Sequence, residues 1–189
     1  ELKEYESAEE DIDQAIEARP DFYEYYFAKF HLFEEQGKDE KANEVLESIT
    51  SIKVNDTKDL YNNAKANFYL ENYDFAQEAF LKALDEGMLE ANYYLAKILE
   101  TKADYEGATS YYEAFFASPL DDYGIADYNI ALAYNQMGYC YLELENYEKA
   151  LESFNSGLDL GVYSLRKTLL INKIVALEYL SDYSRAYEL

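Results

Sequence analysis

One pattern limits the possible folds more than any other feature of this chain. An alanine, preceded three residues earlier by a tyrosine or aspartate and followed four later by a large apolar residue, recurs throughout. It reads Tyr5-Ala8-Ile12, Asp39-Ala42-Leu46, Tyr73-Ala76-Phe80, Tyr105-Ala108-Tyr112 and Tyr147-Ala150-Phe154, and Tyr183-Ala186 opens a sixth copy. Successive alanines are 34, 34, 32, 42 and 36 residues apart, a period near 34 with one insertion of about eight residues. Two copies share more: LENYDFAQEAFLKALDEG from Leu70 and LENYEKALESFNSGLDLG from Leu144. A period of this length means one supersecondary unit used repeatedly, whose apolar face only its neighbours can cover.

Each period holds two helices. Apolar residues at i, i+3, i+4 and i+7 recur upstream of each frame as well as within it. In the best-defined unit, IALAYNQMGYCYLEL reads as one amphipathic helix, ENY as a turn and EKALESFNSGLDL as the next. Gly87 and Gly161 follow second helices, where a left-handed C-cap is expected. Pro20 and Pro119 stand just beyond other second helices, where proline cannot continue one. Helices of about 14 residues on such short turns pack as antiparallel hairpins. No segment sustains strand alternation. The small residues Ala64, Ala96 and Gly138 in first helices, and the framed alanines in second helices, let paired axes approach closely.

The insertion falls at 118–131. PLDD reads as a turn and N-cap signal, so the following helix is expected to start near Asp121–Asp122 and run to about 25 residues. The alternative is a loop ahead of it.

Composition removes several classes of function. With 16 Lys plus Arg against 39 Asp plus Glu, the formal charge is −23. Such a surface repels phosphate backbones and anionic lipid, which excludes nucleic acid as a partner of this segment. It also attracts basic partners. Two prolines and seven glycines favour helix, and 49% hydrophobic content with 22 Tyr and 10 Phe is too apolar for disorder. One cysteine makes no internal disulfide. No run of about 18 apolar residues exists, so no membrane insertion of this segment is expected.

No catalytic constellation can be assembled. The single His31 and single Cys140 fall in different units. Cys140 shares its register position with Leu32, Ala66, Ile98 and Ala176, apolar throughout, and is expected in the core. There is no glycine-rich phosphate loop and no metal-ligand cluster. The acidic stretches Asp11–Gln14 and Leu120–Tyr123 lack calcium-loop spacing and read as solvated acids. The expectation is a non-enzyme with no cofactor and no metal.

These features resemble the tetratricopeptide repeat. The residues carrying the likeness are Tyr134, Met137, Gly138, Tyr141, Tyr147, Ala150, Phe154, Gly157 and Leu158 in one unit, and Leu60, Ala64, Tyr73, Ala76, Phe80 and Ala83 in another. Phe30, Asp39 and Ile174 depart from it, the first and last by placing bulk at the small-residue site. The likeness extends over the whole chain. It implies an all-α fold, a right-handed α-solenoid of stacked helix–turn–helix hairpins forming a single array over 1–189. Four full units (22–53, 58–87, 89–118 and 121–161) lie between half units 1–20 and 162–189. Neither end has the polar face of a capping repeat, so the native protein is expected to extend beyond at least one of them, or the termini to be disordered. The chain opens at Glu1 with no targeting segment, which reads as a processed piece.

In this family the first helices line a concave groove that holds ligands. Carried over by register, the groove face is Glu24, Phe27, His31, Glu34 and Glu35, then Lys58, Tyr61, Asn62, Lys65 and Tyr69, then Glu90, Tyr93, Tyr94, Lys97 and Glu100. Asn135, Gln136, Tyr139 and Glu143 follow, and Asn172, Glu178 and Tyr179 close the series. Lys58, Lys65 and Lys97 stand out against the acidic background. Asn62, Asn135, Gln136 and Asn172 can pair both N–H and C=O of an extended peptide, while Tyr61, Tyr93 and Tyr139 offer aromatic contacts. The chaperone-binding subset of the family clamps a terminal carboxylate. Asn62 matches one member of its residue set, but Tyr61 and Lys65 stand where Lys and Asn are expected, so that clamp is not formed.

The leading expectation is a protein- or peptide-binding scaffold. The alternatives are a regulatory module that senses a signal peptide through an effector domain outside this segment, and a cell-surface glycan binder, weakened by the absence of Trp. The tyrosine-rich acidic texture resembles bacterial repeat lipoproteins, which favours an extracytoplasmic, lipid-anchored setting over the cytoplasm.

Overall fold

The computed structural model describes residues 2–120 and 125–180. The expected sixth frame at Tyr183-Ala186 and the acids at Asp121 and Asp122 lie outside these. Among the described residues the chain is ten helices and no strand: α1 (Leu2–Ala18), α2 (Tyr23–Glu35), α3 (Asp39–Thr50), α4 (Thr57–Tyr69), α5 (Tyr73–Asp85), α6 (Ala91–Thr101), α7 (Tyr105–Phe116), α8 (Asp127–Glu143), α9 (Tyr147–Asp159) and α10 (Tyr163–Tyr179). They form two compact units, Glu1–Met88 and Leu89–Leu189. In the first, α2 packs on α3 and α4 on α5, with α1 against α2 and α3 against α4. In the second, α6 pairs with α7 and α8 with α9, and α10 lies on α9 and α8.

The frames become the hairpin seams. Ala42, Ala76, Ala108 and Ala150 are at most 3% exposed, and Leu46, Phe80, Tyr112 and Phe154, one helical turn on, are fully buried. Phe154 lies so close to Gly138 of α8 that a Cβ there would fall within 2.8 Å of the ring. Cys140 is fully buried, and burial followed by the nearby Glu100 pushes its thiol up to about 12.

Every turn inside a hairpin has the same backbone. After α4 the Asn72 N–H bonds the Asn67 carbonyl and the Glu71 N–H bonds Phe68, with Glu71 at φ +60°. After α8 the Asn146 and Glu145 amides bond Tyr141 and Leu142, with Glu145 at +56°. Ala103 (+56°) and Gly37 (+65°) take this place after α6 and α2. This is the Schellman motif, which satisfies carbonyls that a helix end would orphan. The next residue starts the second helix. Asn146 and Asp104 accept from the Lys149 and Gly107 N–H groups as N-caps, and three residues join the two helices.

The structure corrects one sequence expectation. α8 does not start near Asp121–Asp122; it starts at Asp127, after an extended Ala126 (φ −63°, ψ 143°). Leu120 and Ile125 pack against the core of the second unit, partly burying their side chains.

Candidate functional site

The residues expected on the ligand-facing surface divide between the two units. In the first, Lys58, Tyr61, Asn62 and Lys65 stand at i, i+3, i+4 and i+7 on α4 and so share one face, beside Glu24 and Phe27 of α2. Lys58 Nζ donates to Glu24 Oε1 at 2.8 Å. Burial raises the Glu24 carboxyl, but the Lys58 bond, a backbone bond and the Lys58 and Lys65 charges together outweigh it and hold it below the usual range. Lys65 sits differently. Its Nζ lies 4.2 Å from the Phe27 ring centroid and 5.8 Å from that of Tyr61. Burial pushes this ammonium down to about 8, against the pull of Glu24. It makes no ion pair with another described residue, so aromatic faces support the charge in place of a carboxylate.

Asn62 is 7% exposed, yet its amide hydrogen-bonds no other described residue. Two neighbours on α4 are satisfied: Asn63 donates to the Thr50 carbonyl, and Asn67 donates to the Asn63 carbonyl and side chain. Register explains the contrast. In the second unit the residue one register position earlier on the preceding first helix bonds the equivalent of Asn62. Tyr93 of α6 donates to Gln136 Oε1 of α8 at 3.4 Å, and Asn172 of α10 donates to Asn135 Oδ1 of α8 at 2.8 Å. Phe27 holds that place next to Asn62, and a phenyl ring accepts no such bond.

The second unit therefore presents a surface whose amides are already engaged. Lys97 lies 5.5 Å over the Tyr93 ring, and burial lowers its ammonium against the pull of Glu100. Burial raises the Glu100 carboxyl even though it accepts from the Tyr112 hydroxyl at 3.0 Å. Tyr139 is 41% exposed with its ring 6.3 Å from that of Tyr105. His31 bonds Glu34 at 2.9 Å in the first unit. Among the described residues no cluster of His, Cys, Asp and Glu could hold a metal, and no helix is long and apolar enough to cross a membrane.

Sequence reasoning did not foresee the Glu24–Lys58 pair, although both residues were placed on this face. Their spacing of 34 residues, one repeat period, is the signal that they stand side by side on adjacent first helices. It also did not foresee the triad on α7, α8 and α9, where the Tyr141 hydroxyl and Lys149 both donate to Glu113.

A tetratricopeptide-repeat model matches residues 131–160, which hold most of α8 and all of α9. No curated protein sequence matches the chain. Among solved structures, PilW, a type IV pilus biogenesis factor, superposes with a TM-score of 0.74 at 17% identity, covering 98% of this chain and 83% of that one. MamA 41-end from Desulfovibrio magneticus RS-1 gives 0.61 at 23%, covering 88% and 89%. YrrB, described as a TPR protein with an unusual peptide-binding site, gives 0.52 at 19%, covering 88% and 84%. At these identities the likeness is one of fold.

Proposed function

We propose that this tetratricopeptide-repeat chain is a non-enzymatic binding scaffold, and that the α2–α4 face of its first unit takes an extended peptide. The observation that carries this reading is Asn62. The residue is 7% exposed, its amide atoms reach solvent and they bond no other described residue, so a peptide backbone laid along α4 can offer both an acceptor and a donor. Lys65 beside it supplies a cation set against aromatic rings and making no ion pair with another described residue, suited to a peptide carboxylate. Lys58 can join once that carboxylate competes with Glu24. In the second unit Tyr93, Lys97, Asn135, Gln136, Tyr139 and Asn172 form the corresponding face, where Tyr139 is the exposed contact and the amides must exchange existing bonds to serve a ligand. The peptide-binding site described for YrrB, a protein of like fold, supports the same class of ligand.

The test is a peptide library displayed to the wild-type chain, with the selected peptides titrated against Asn62→Leu, Lys65→Met and the Lys58/Lys65/Lys97→Glu triple variant. Binding should weaken about 10-fold or more for each of the first two, consistent with losing a charge-assisted or buried hydrogen bond, and should vanish in the third. Equal affinity across all four proteins refutes the assignment.

A further inference from the structure

If the α2–α4 face takes a peptide, the reading on which this inference rests, its charges determine how many acidic groups that peptide can carry. Glu24 of α2 meets Lys58 and Lys65 of α4 on this face. The two lysines stand seven residues apart, two helical turns and about 10.5 Å along the axis, on one side of the helix. Their surroundings differ. Lys58 already holds a carboxylate oxygen, that of Glu24, at 2.8 Å. Lys65 makes no ion pair with another described residue, and its Nζ rests 4.2 Å from the Phe27 ring centroid. The Glu24 charge is felt at Lys65 as well, although burial of that ammonium outweighs it.

Glu24 therefore does for Lys58 what a ligand acid would do for Lys65. It stays ionised, because the Lys58 bond, a backbone bond and the two lysine charges together outweigh its burial. The three side chains carry one net positive charge, beside the open amide of Asn62. A peptide with a single carboxylate matches that charge at Lys65. A second acid three residues away would reach Lys58, since an extended backbone advances about 9–10 Å over three residues. There it meets Glu24 and has to displace a group of its own sign. The side chains of the pair are 63% exposed at Lys58 and 48% at Glu24, so water screens the contact and the effect is discrimination, not exclusion. A phosphate, with a charge of about −1.5 to −2 on one group, meets the same repulsion. We propose that Glu24 is a specificity-determining residue, which makes the α2–α4 face select peptides bearing one carboxylate over diacidic or phosphorylated ones.

The probes are a library-selected peptide carrying one Glu, its Glu→Gln form, and forms with a second Glu three residues to either side. Each is titrated calorimetrically at about 50 mM salt, where screening is weak. Coulomb energy is linear in ligand charge, so the factor gained by removing Glu24 is squared for a doubly charged ligand. At about 7 Å in water a unit charge changes affinity about threefold. Glu24→Gln should thus raise affinity about threefold for the one-Glu peptide and about tenfold for the better two-Glu peptide. In Glu24→Gln/Lys58→Met the net charge of the face is again one, and the relative affinity of the two peptides should return to the wild-type value. Both side chains are substantially exposed, so the variants should keep the helical circular dichroism of the wild type. Equal gains for the two peptides in Glu24→Gln overturn the proposal while leaving the binding face in place. Tighter binding of the two-Glu peptide by the wild-type chain also overturns it, since Lys58 would then be open despite Glu24. If instead the Gln form binds the wild type as tightly as the one-Glu peptide, the carboxylate site at Lys65 falls, and the role of Glu24 with it.

Discussion

Gly138 offers a prediction whose sign is informative. It lies in the fourth turn of α8, a place where Gly→Ala ordinarily stabilises a helix by about 1 kcal/mol, because alanine has less backbone freedom to lose. Here the added Cβ would lie 2.8 Å from both Cδ1 and Cζ of Phe154, and nearer still to Cε1. The ring is fully buried at the α8–α9 seam and cannot swing aside as a surface side chain would. Overpacking a tight core costs about 1–3 kcal/mol. The net expectation for Gly138→Ala is therefore a loss of up to about 2 kcal/mol, opposite in sign to the local helix preference.

The control is Phe154→Leu, which opens the space the methyl group needs. In that background Gly138→Ala should stabilise by about 1 kcal/mol, since only the helix preference remains. The two substitutions should thus couple by about 1–3 kcal/mol, a size expected of residues in direct contact. Urea unfolding of the four proteins, followed by circular dichroism, measures the cycle. If Gly138→Ala stabilises equally in both backgrounds, the close approach of α8 to the Phe154 ring is wrong, and with it the explanation of why glycine stands where α4 and α6 hold Ala64 and Ala96.

Further expectations concern the turns, the buried lysine and the cysteine. Glu145→Gly should be neutral or stabilising by up to about 1 kcal/mol, because it relieves a left-handed residue at some entropic cost, while Glu145→Val should destabilise by about 1–2 kcal/mol; thermal melts separate the two. Lys65 has a folded-state pKa lowered by burial to about 8, below its unfolded value, so the unfolded chain holds the extra proton between those values. Stability should therefore rise with pH from about 8 to about 9, and Lys65→Met should flatten that slope in urea titrations kept below about pH 9. The ceiling matters because Cys140, pushed up to about 12 by burial and then by Glu100, contributes with the opposite sign once the unfolded thiol ionises, and Tyr23, raised to about 12 by burial and then by Asp59 and Asp56, does so at higher pH. Affinity for a carboxylate-bearing peptide should fall over that same pH range as Lys65 loses its charge. Cys140 should resist iodoacetamide in the native chain and react as the second unit unfolds in urea, because burial both shields the thiol and opposes its ionisation. Native-state labelling as fast as that of the unfolded chain would contradict its burial.

Helix pairing and the hairpin seams were legible in the sequence because close packing restricts residue size at fixed spacing. Ala76 and Phe80, or Ala150 and Phe154, leave a mark that any register search finds. The turns were half legible. Gly37, Gly87 and Gly161 mark left-handed positions openly, but Glu71, Ala103 and Glu145 occupy such positions without glycine. There the paired amide bonds to the preceding helix hold the conformation against the residue's own preference. The α8 start was misread because PLDD carries a strong local capping signal, whereas the burial of Leu120 and Ile125 depends on contacts distant in sequence. The surface was least legible. Composition placed Lys58, Lys65 and Lys97 on one kind of helix, but which lysine meets a carboxylate depends on a neighbour one full period away, as Glu24 is for Lys58.

That dependence on neighbours is also what singles out the α2–α4 face. Elsewhere among the described residues several polar groups meet across helices or turns: Gln136 receives Tyr93, Asn135 receives Asn172, Glu113 receives Tyr141 and Lys149, and Asn67 holds Asn63. Between α2 and α4, Phe27 interrupts this bonding at the place where Tyr93 and Asn135 continue it. The same ring that leaves Asn62 without a partner supports the Lys65 ammonium. One substitution in the column therefore produces both features, an amide with open bonding capacity and a cation set against π faces. Phe27→Tyr should undo half of this arrangement: a hydroxyl in the position of the Tyr93 group would bond Asn62 as Tyr93 bonds Gln136, raising stability by about 1 kcal/mol while lowering peptide affinity. Unfolding and titration of this one variant separate the two accounts, because a purely structural Asn62 would gain stability with no loss of binding.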